Sequence, residues 1–404
     1  MRILLSEGAS TSAREAITAL GLHGHHIEIC DPNPFCLGRF SRFVSRFHRC
    51  PGLGKDPAGY LAFVVDLVSR RRFDVLLPIH EQGLVFAKAA DRLRPHVHLA
   101  LPAFEPYRDA HSKAGFSRIL TELALPQPRT RFVSSPAALL DAVRPPCVVK
   151  ASVATASRGT WVVQDAGDVA RVVQETKAAG AFEDMVLVQE FIAGPVEHAQ
   201  AVFRAGRLVA MHAYRQLQAG AGGGPALKES VERPVVAGHL AQVGQHLAWH
   251  GALSVDYILA DGTPHYVDCN PRLVEPMSAV LAGCDLVDLL LRISLGEDPG
   301  SVACVRVPTR THLAMQALLG VALRDNSRRE LIRHLRRLAT GRAPYAGSAE
   351  ELTPVRLDWI SVVPLAMTAL LLLFNPRLAH ELPRRGFGAH LLDARTLRVI
   401  EQEI

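Results

Sequence analysis

The chain has 404 residues, 49% of them hydrophobic, and a formal net charge of +6. That length and apolar content exclude a disordered chain or a single small module and predict two or three domains with cores of their own. The basic excess rests on 39 arginines against six lysines; it fits anionic small molecules, nucleic acid or an acidic membrane surface, and spread over 404 residues it is weak evidence for any of them.

In chain order, residues 2–6 read as a buried strand, 12–20 as a helix and 26–30 as a second strand. A helix over 57–71 leads into the strand FDVLLP at 73–78. The polar turn that follows MRILL makes the N-terminus a strand rather than a signal peptide, so a cytoplasmic protein is expected. Strands alternating with helices predict a parallel α/β sheet, with its site beyond the carboxyl ends of the strands. Residues 7–10 and 79–81 lie at such ends, and Glu81, directly after a buried strand, is a candidate substrate contact.

A proline-punctuated stretch at 101–107 closes this domain, and a helix over 109–123 follows, stopped by Pro126 and Pro128. The strand CVVK (147–150), the polar loop 151–159, a strand over 160–164, a helix over 168–179 and the strand VLVQEF (186–191) come next. A hairpin turns at Ala205-Gly206. The glycine run at 220–224 reads as a mobile substrate loop, with Gly223 at its tip. A helix over 235–250 then leads to a second hairpin, LSVDYILADGTPHYVDCNPR.

This hairpin carries the strongest chemical signal. Asp261-Gly262 marks its turn. Asp268 and Asn270 share one face because side chains alternate along a strand. An odd-length connection sets Asp256 opposite Asp268, with Cβ atoms roughly 5 Å apart. Three oxygen-bearing side chains then converge, a donor set for a hard cation such as Mg²⁺, which takes one or two carboxylates plus phosphate oxygens. Arg272 is placed to meet the same anion. Lys150 ends an apolar strand before a Ser/Thr/Gly loop, where a compact ammonium and backbone N–H groups suit phosphate. Lys113 gains meaning only from its order before the hairpin.

The ordered set resembles the ATP-grasp superfamily: a helix lysine (Lys113), a strand-end lysine with its loop (VVKASVATASRGT), E-x-x-x-G-x-x-E at 190–197, then Asp256 … Asp268-Cys269-Asn270-Pro271-Arg272. Biotin carboxylase, carbamoyl-phosphate synthetase and the carboxylate–amine ligases are the relatives of this kind. The resemblance implies α/β and α+β architecture: a Rossmann-like domain over 1–105, an ATP-grasp fold over 106–300 with a lid subdomain at about 125–192, and a small mixed domain over 301–404.

It further implies ATP with Mg²⁺ or Mn²⁺. Lys113 and Lys150 would meet phosphates under a lid that includes Ser157 and Gly159. Glu190, Phe191 and Ile192 would line the adenine, and Glu197 would bond the ribose. Asp256, Asp268 and Asn270 would hold the metal, and Arg272 would face the γ-phosphate and the reacting carboxylate. Asp268 stands where the family often has Glu, and the lid is poorer in glycine than usual. Arg215 is a second catalytic candidate, a bidentate grip for a substrate carboxylate. Lys228 and Glu229 are candidates to close onto the site.

The activity implied is activation of a carboxylate as an acyl phosphate, attacked by an amine of an amino-acid or peptide type. The alternatives are a bicarbonate-activating carboxylase or carbamoyl-type enzyme, and a non-catalytic ATP-binding regulator.

Two tail features and the cysteines complete the expectations. SRRELIRHLRRL (327–338) is a basic amphipathic helix, and WISVVPLAMTALLLLF (359–374) is apolar but short for a bilayer span. A buried C-terminal helix is expected, with docking on a membrane surface through Arg328, Arg329, Arg333, Arg336 and Arg337 as the alternative. No reader motif accompanies the basic helix, so no nucleic-acid partner is expected; a homodimer is left open. Seven cysteines without a CxxC pair read as buried thiols of a reducing compartment, without zinc or disulfides.

Overall fold

A computed structural model describes residues 1–154, 159–304, 309–382 and 390–404. The N-terminal elements are β1 (Arg2–Leu5), α1 (Thr11–Leu22), β2 (His26–Asp31), β3 (Val44–Arg49), α2 (Pro57–Arg70) and β4 (Val75–Leu77). The strands form a parallel sheet in the order β3-β2-β1-β4. Apolar runs in β1 and β4 fit a sheet buried on both faces, and β2 (HIEICD) buries Glu28 and Asp31 beside its apolar residues. β3 is a charged, half-exposed edge strand whose pattern does not announce a strand.

Four helices follow: α3 (Gln82–Lys88), α4 (Ala90–Leu93), α5 (Phe104–His111) and α6 (Lys113–Glu122). The single helix expected over 109–123 is therefore two. The chain is extended at Ser112, whose hydroxyl accepts from the Gly115 N–H and caps α6. That break makes Lys113 the first residue of a helix.

The segment that the resemblance implies to be a lid comprises β5 (Thr130–Val133), α7 (Pro136–Ala142), β6 (Cys147–Ala151), β7 (Thr160–Val163), α8 (Asp168–Ala178) and β8 (Val186–Glu190). Its antiparallel sheet, in the order β5-β8-β6-β7, packs Val149, Val163 and Val188 against Leu139 and Val172 of the two helices. This small core is separate from the main ones.

The central sheet is built from β9 (Val196–Arg204), β10 (Arg207–Ala219), β11 (Pro225–Val231), then, after α9 (Pro234–His246), β12 (Gly251–Ala260) and β13 (Thr263–Asn270). Helices α10 (Met277–Leu281) and α11 (Leu286–Ser294) precede β14 (Arg310–His312), and α12 (Ala314–Asp325) and α13 (Arg328–Thr340) precede β15 (Ser348–Glu350). The seven strands run β13-β12-β9-β10-β11-β14-β15. β14 and β15 thus extend this sheet although they lie in the C-terminal part of the chain. One face buries Ala199, Ala201 and Phe203 with the α9 side chains Val236 and Leu240; the other buries Val202 and Ala210 with α11.

The glycine run is not a free loop. Residues 221–223 form a 3-10 turn, and Ala221 packs with Leu318 and Leu319 of α12. The chain ends with α14 (Val362–Phe374) and α15 (Ala394–Glu403). Arg14 and Asp358, both fully buried, pair at 2.7 Å and tie the C-terminal part to α1. Cys284 and Cys304 are joined in a disulfide, against the expectation of free thiols throughout, while Cys30, Cys36, Cys50, Cys147 and Cys269 are free and buried. The pairing depends on the path from α11 to residue 304, which spacing does not reveal. Among the described residues no helix is long and apolar enough to cross a membrane.

Candidate active site

The β12–β13 hairpin closes through two residues, Asp261 and Gly262, both with positive φ (48° and 78°). This is an even-length turn, and the odd length expected from sequence is wrong. Ala260 pairs with Thr263 and Tyr257 with Tyr266, yet Asp256 pairs with Asp268. The extra residue is Val267, a bulge. A one-residue insertion reverses which face every later side chain takes. Tyr266 therefore stays beside Tyr257, while Asp268 turns to the face of Asp256. The bulge, not the turn, brings the two carboxylates together.

Around them lies a charged wall. The Asp268 carboxylate sits 3.3 Å from Lys113 Nζ, which also donates to the Ala154 carbonyl at 2.7 Å. Lys150 Nζ donates to the carbonyl of the bulged Val267 at 2.8 Å. Arg272 is buried, and its Nη2 donates to Asn270 Oδ1 at 3.2 Å. On the neighbouring strand His198 Nδ1 lies 2.6 Å from Asp256 Oδ1, with the ring stacked on Tyr214.

The electrostatics follow from burial and neighbours. Burial pushes the Lys150 ammonium down to about 8; Asp268 opposes this and Lys113 adds to it. Burial works against the Asp256 carboxylate, but His198, Arg272 and Lys113 outweigh it and hold its pKa below the usual range. Burial also lowers Arg272, offset in part by Glu81, Tyr107 and Glu7. Asp256 and Asp268 keep side-chain exposures of 28% and 30%. Two carboxylates and an amide oxygen on one face form the hard-oxygen donor set that Mg²⁺ takes.

The rest of the expected set is scattered. Glu197 and Arg215 lie on the opposite face of the sheet, paired in register. Glu197 is fully buried and accepts from Arg215 Nε at 3.1 Å, from Arg233 at 2.6 Å on each oxygen, and from the Tyr257 hydroxyl at 3.1 Å. Burial would raise its pKa, but the Arg233 and Arg215 bonds lower it. Glu197 is thus an internal hub rather than a free ribose acceptor, and Arg215 is held on it, away from Asp256.

Glu190 ends β8 and accepts from the Arg129 N–H. Phe191 and Ile192 follow on the crossing to the central sheet, Phe191 exposed. Gly194 there lets the backbone approach β12: a Cβ would lie 2.6 Å from the Leu259 carbonyl oxygen. Glu81 is buried beside α3 and accepts from the Leu392 N–H. Gly223 lies in the 3-10 turn and its carbonyl accepts from Gln216. Gly159 closes the lid strand by accepting from the Ala151 N–H. Ser157 lies outside the described residues.

Lys228 is not a residue that swings onto the site. It is fully buried, 2.7 Å from Glu275 and 2.8 Å from Glu351, and lies over the Tyr214 ring. Glu15 completes a buried trio of carboxylates whose oxygens converge. His198, Arg233 and Glu275 were not singled out in the sequence. His198 and Arg233 acquire partners only through strand register and the start of α9, and Glu275 through the fold of the chain after β13.

A four-stranded antiparallel sheet accompanies a seven-stranded sheet that bears the acidic hairpin. This is the ATP-grasp fold. Over 76% of its length the chain superposes on pyruvate carboxylase from Rhizobium etli (TM-score 0.60, 17% identity), spanning only 30% of that longer chain. The biotin carboxylase domain of 2-oxoglutarate carboxylase from Hydrogenobacter thermophilus, solved with MgADP and bicarbonate, matches at TM-score 0.59 and 15% identity over 76% of this chain and 73% of its own. An L-amino acid ligase from Bacillus licheniformis matches at TM-score 0.61 and 16% identity over 78% of this chain and 79% of its own. No protein-family model matches the sequence.

Proposed function

We propose that the chain is an ATP- and Mg²⁺-dependent ligase that activates a small carboxylic acid as an acyl phosphate and joins it to an amine. The observation that carries this reading is the convergence of Asp256 and Asp268 on one face, with Asn270 two residues on, beside Lys113 of α6 and Lys150 of β6. The similarity to amino-acid ligase and biotin carboxylase folds supports the class.

Asp256, Asp268 and Asn270 are the residues to hold Mg²⁺ or Mn²⁺. The ion supplies charge neutralisation between phosphate oxygens. Lys113 and Lys150 supply positive charge for the triphosphate. Arg272, buried beside Asn270, offsets the repulsion between the substrate carboxylate and the γ-phosphate, which is electrostatic stabilisation by a preorganised group. Arg215 and Glu197 take no part in this scheme.

The test is ADP and phosphate release from ATP with pooled acids and amines, with mass spectrometry of products. Release that depends on one acid–amine pair and yields their condensation product is expected. Release driven by bicarbonate alone, or ATP binding without turnover on any pool, overturns the ligase reading.

A further inference from the structure

Helix α14 is thirteen residues without one charged side chain. Only Pro364, Thr368 and Leu372 are buried, a single stripe at four-residue spacing that packs toward α12 and α13. The opposite stripe is open. Leu370 is 67% exposed, Phe374 78%, and Trp359, just before the helix, 65%. Val362, Val363, Met367 and Leu371 are exposed between them. Isolated exposed apolar residues are ordinary, but a contiguous row of this kind marks an interface. The buried helix expected from sequence is buried on one side only.

The basic helix lies against it. Arg328 Nη2 donates to the Phe374 carbonyl, joining the start of α13 to the end of α14. α13 buries only Leu331. Arg329, Arg333, Arg336, Arg337 and Arg342 line an open groove of about 890 Å³ with Ile332. Among the described residues, only Arg333 of these five pairs with an acid, Glu330.

We infer that this face docks on an anionic lipid bilayer, with the α14 row in the acyl boundary and the α13 arginines at the headgroups. Charge selects this occupant. Apolar side chains flanked by arginines, four of the five without an acidic partner among the described residues, match a surface that offers hydrocarbon and phosphate together. A two-fold contact of the face with a second copy would bring two arginine-rich helices side by side. A nucleic acid would engage the arginines and leave the apolar row in water.

The test uses the 404-residue chain and flotation with vesicles of phosphatidylcholine alone or mixed with phosphatidylglycerol. Recovery with the anionic vesicles is expected, falling as salt rises. The double variants Leu370→Glu/Phe374→Glu and Arg333→Glu/Arg336→Glu should each lower apparent partitioning by about tenfold or more, since each basic side chain contributes about 1 kcal/mol at such a surface. Both pairs are solvent-exposed, so melting temperature and nucleotide turnover should stay at wild-type values. On the unmodified chain, brominated acyl chains should quench Trp359, and its emission should shift to the blue.

No flotation of the folded chain with anionic vesicles overturns the inference. So does equal binding to both vesicle types that survives the arginine variant. A dimer that Leu370→Glu/Phe374→Glu turns into a monomer, without vesicle binding, assigns the face to self-association instead. Retention of RNA through the arginines alone assigns it to nucleic acid.

Discussion

The chain builds two lysine–carboxylate clusters, one around Lys228 of β11 and one around Asp256 and Asp268 of β12 and β13, and they are opposites. Around Lys228 the charges are closed on one another: the ammonium is fully buried between Glu275 and Glu351, with Glu15 behind. Around Asp256 and Asp268 the oxygens stay partly open, and the lysines approach from another element through backbone carbonyls. A closed cluster has spent its polarity on itself and holds the fold. An open one, with Lys150 already lowered by burial, gains from an outside polyanion and cation.

The comparison is broken most easily by removing each lysine. Lys228→Met leaves buried carboxylates without their cation and should cost about 3–5 kcal/mol of stability. Lys150→Met should cost little or nothing in stability, because the folded state already disfavours its charge, yet it should weaken nucleotide binding. Urea denaturation and nucleotide titration of both variants check this pair, and similar stability losses would erase the distinction.

Next in size, Asp268→Ala and Asn270→Ala should each reduce ATP turnover about 100-fold or more while leaving the circular dichroism spectrum unchanged. Wild-type turnover in either variant removes the metal assignment.

Lys150 also predicts a pH effect. Its pKa of about 8 in the free protein means that half the molecules lack the charge at that pH. Phosphate favours the protonated form, so ATP binding should take up protons near pH 8 and weaken as pH rises above it. Calorimetry in buffers of different ionisation enthalpy reads the uptake, and a flat affinity from neutral to alkaline pH contradicts it.

A second pH effect belongs to the closed cluster. Burial, only partly offset by Lys228, raises the Glu351 carboxyl to about 7. The folded state then holds a proton that the unfolded chain releases above its ordinary carboxyl pKa of 4.5. Stability should therefore fall as pH rises between these two values, by up to about 1.4 kcal/mol per pH unit. Glu351→Gln should flatten the slope, which pH-dependent unfolding of the two proteins measures.

Much of the candidate site was legible because its signals are local. Lys150 lies near the end of β6, Asp256, Asp268 and Asn270 lie on strands, and Arg272 follows β13 by two residues, so residue type and local pattern mark them; Lys113 opens a helix. The parallel alternation at the N-terminus and the hairpin at Ala205-Gly206 were legible for the same reason. Glu197 and Arg215 turn to the other face of the sheet from Asp256, which a motif position does not reveal. Glu81 lies at the strand end where it was expected, but its partner Leu392 is 311 residues away.

The sequence by itself determined which residues carry charge and oxygen, and the order in which they occur, because composition and period are local properties. Tertiary structure decided which of them meet. The Val267 bulge turned Asp268 onto the face of Asp256, register set His198 against Asp256 and Arg215 against Glu197, and long-range packing locked Lys228 among three glutamates. Each of these is a relation between strands or distant segments. A one-residue shift reverses it without changing any local pattern.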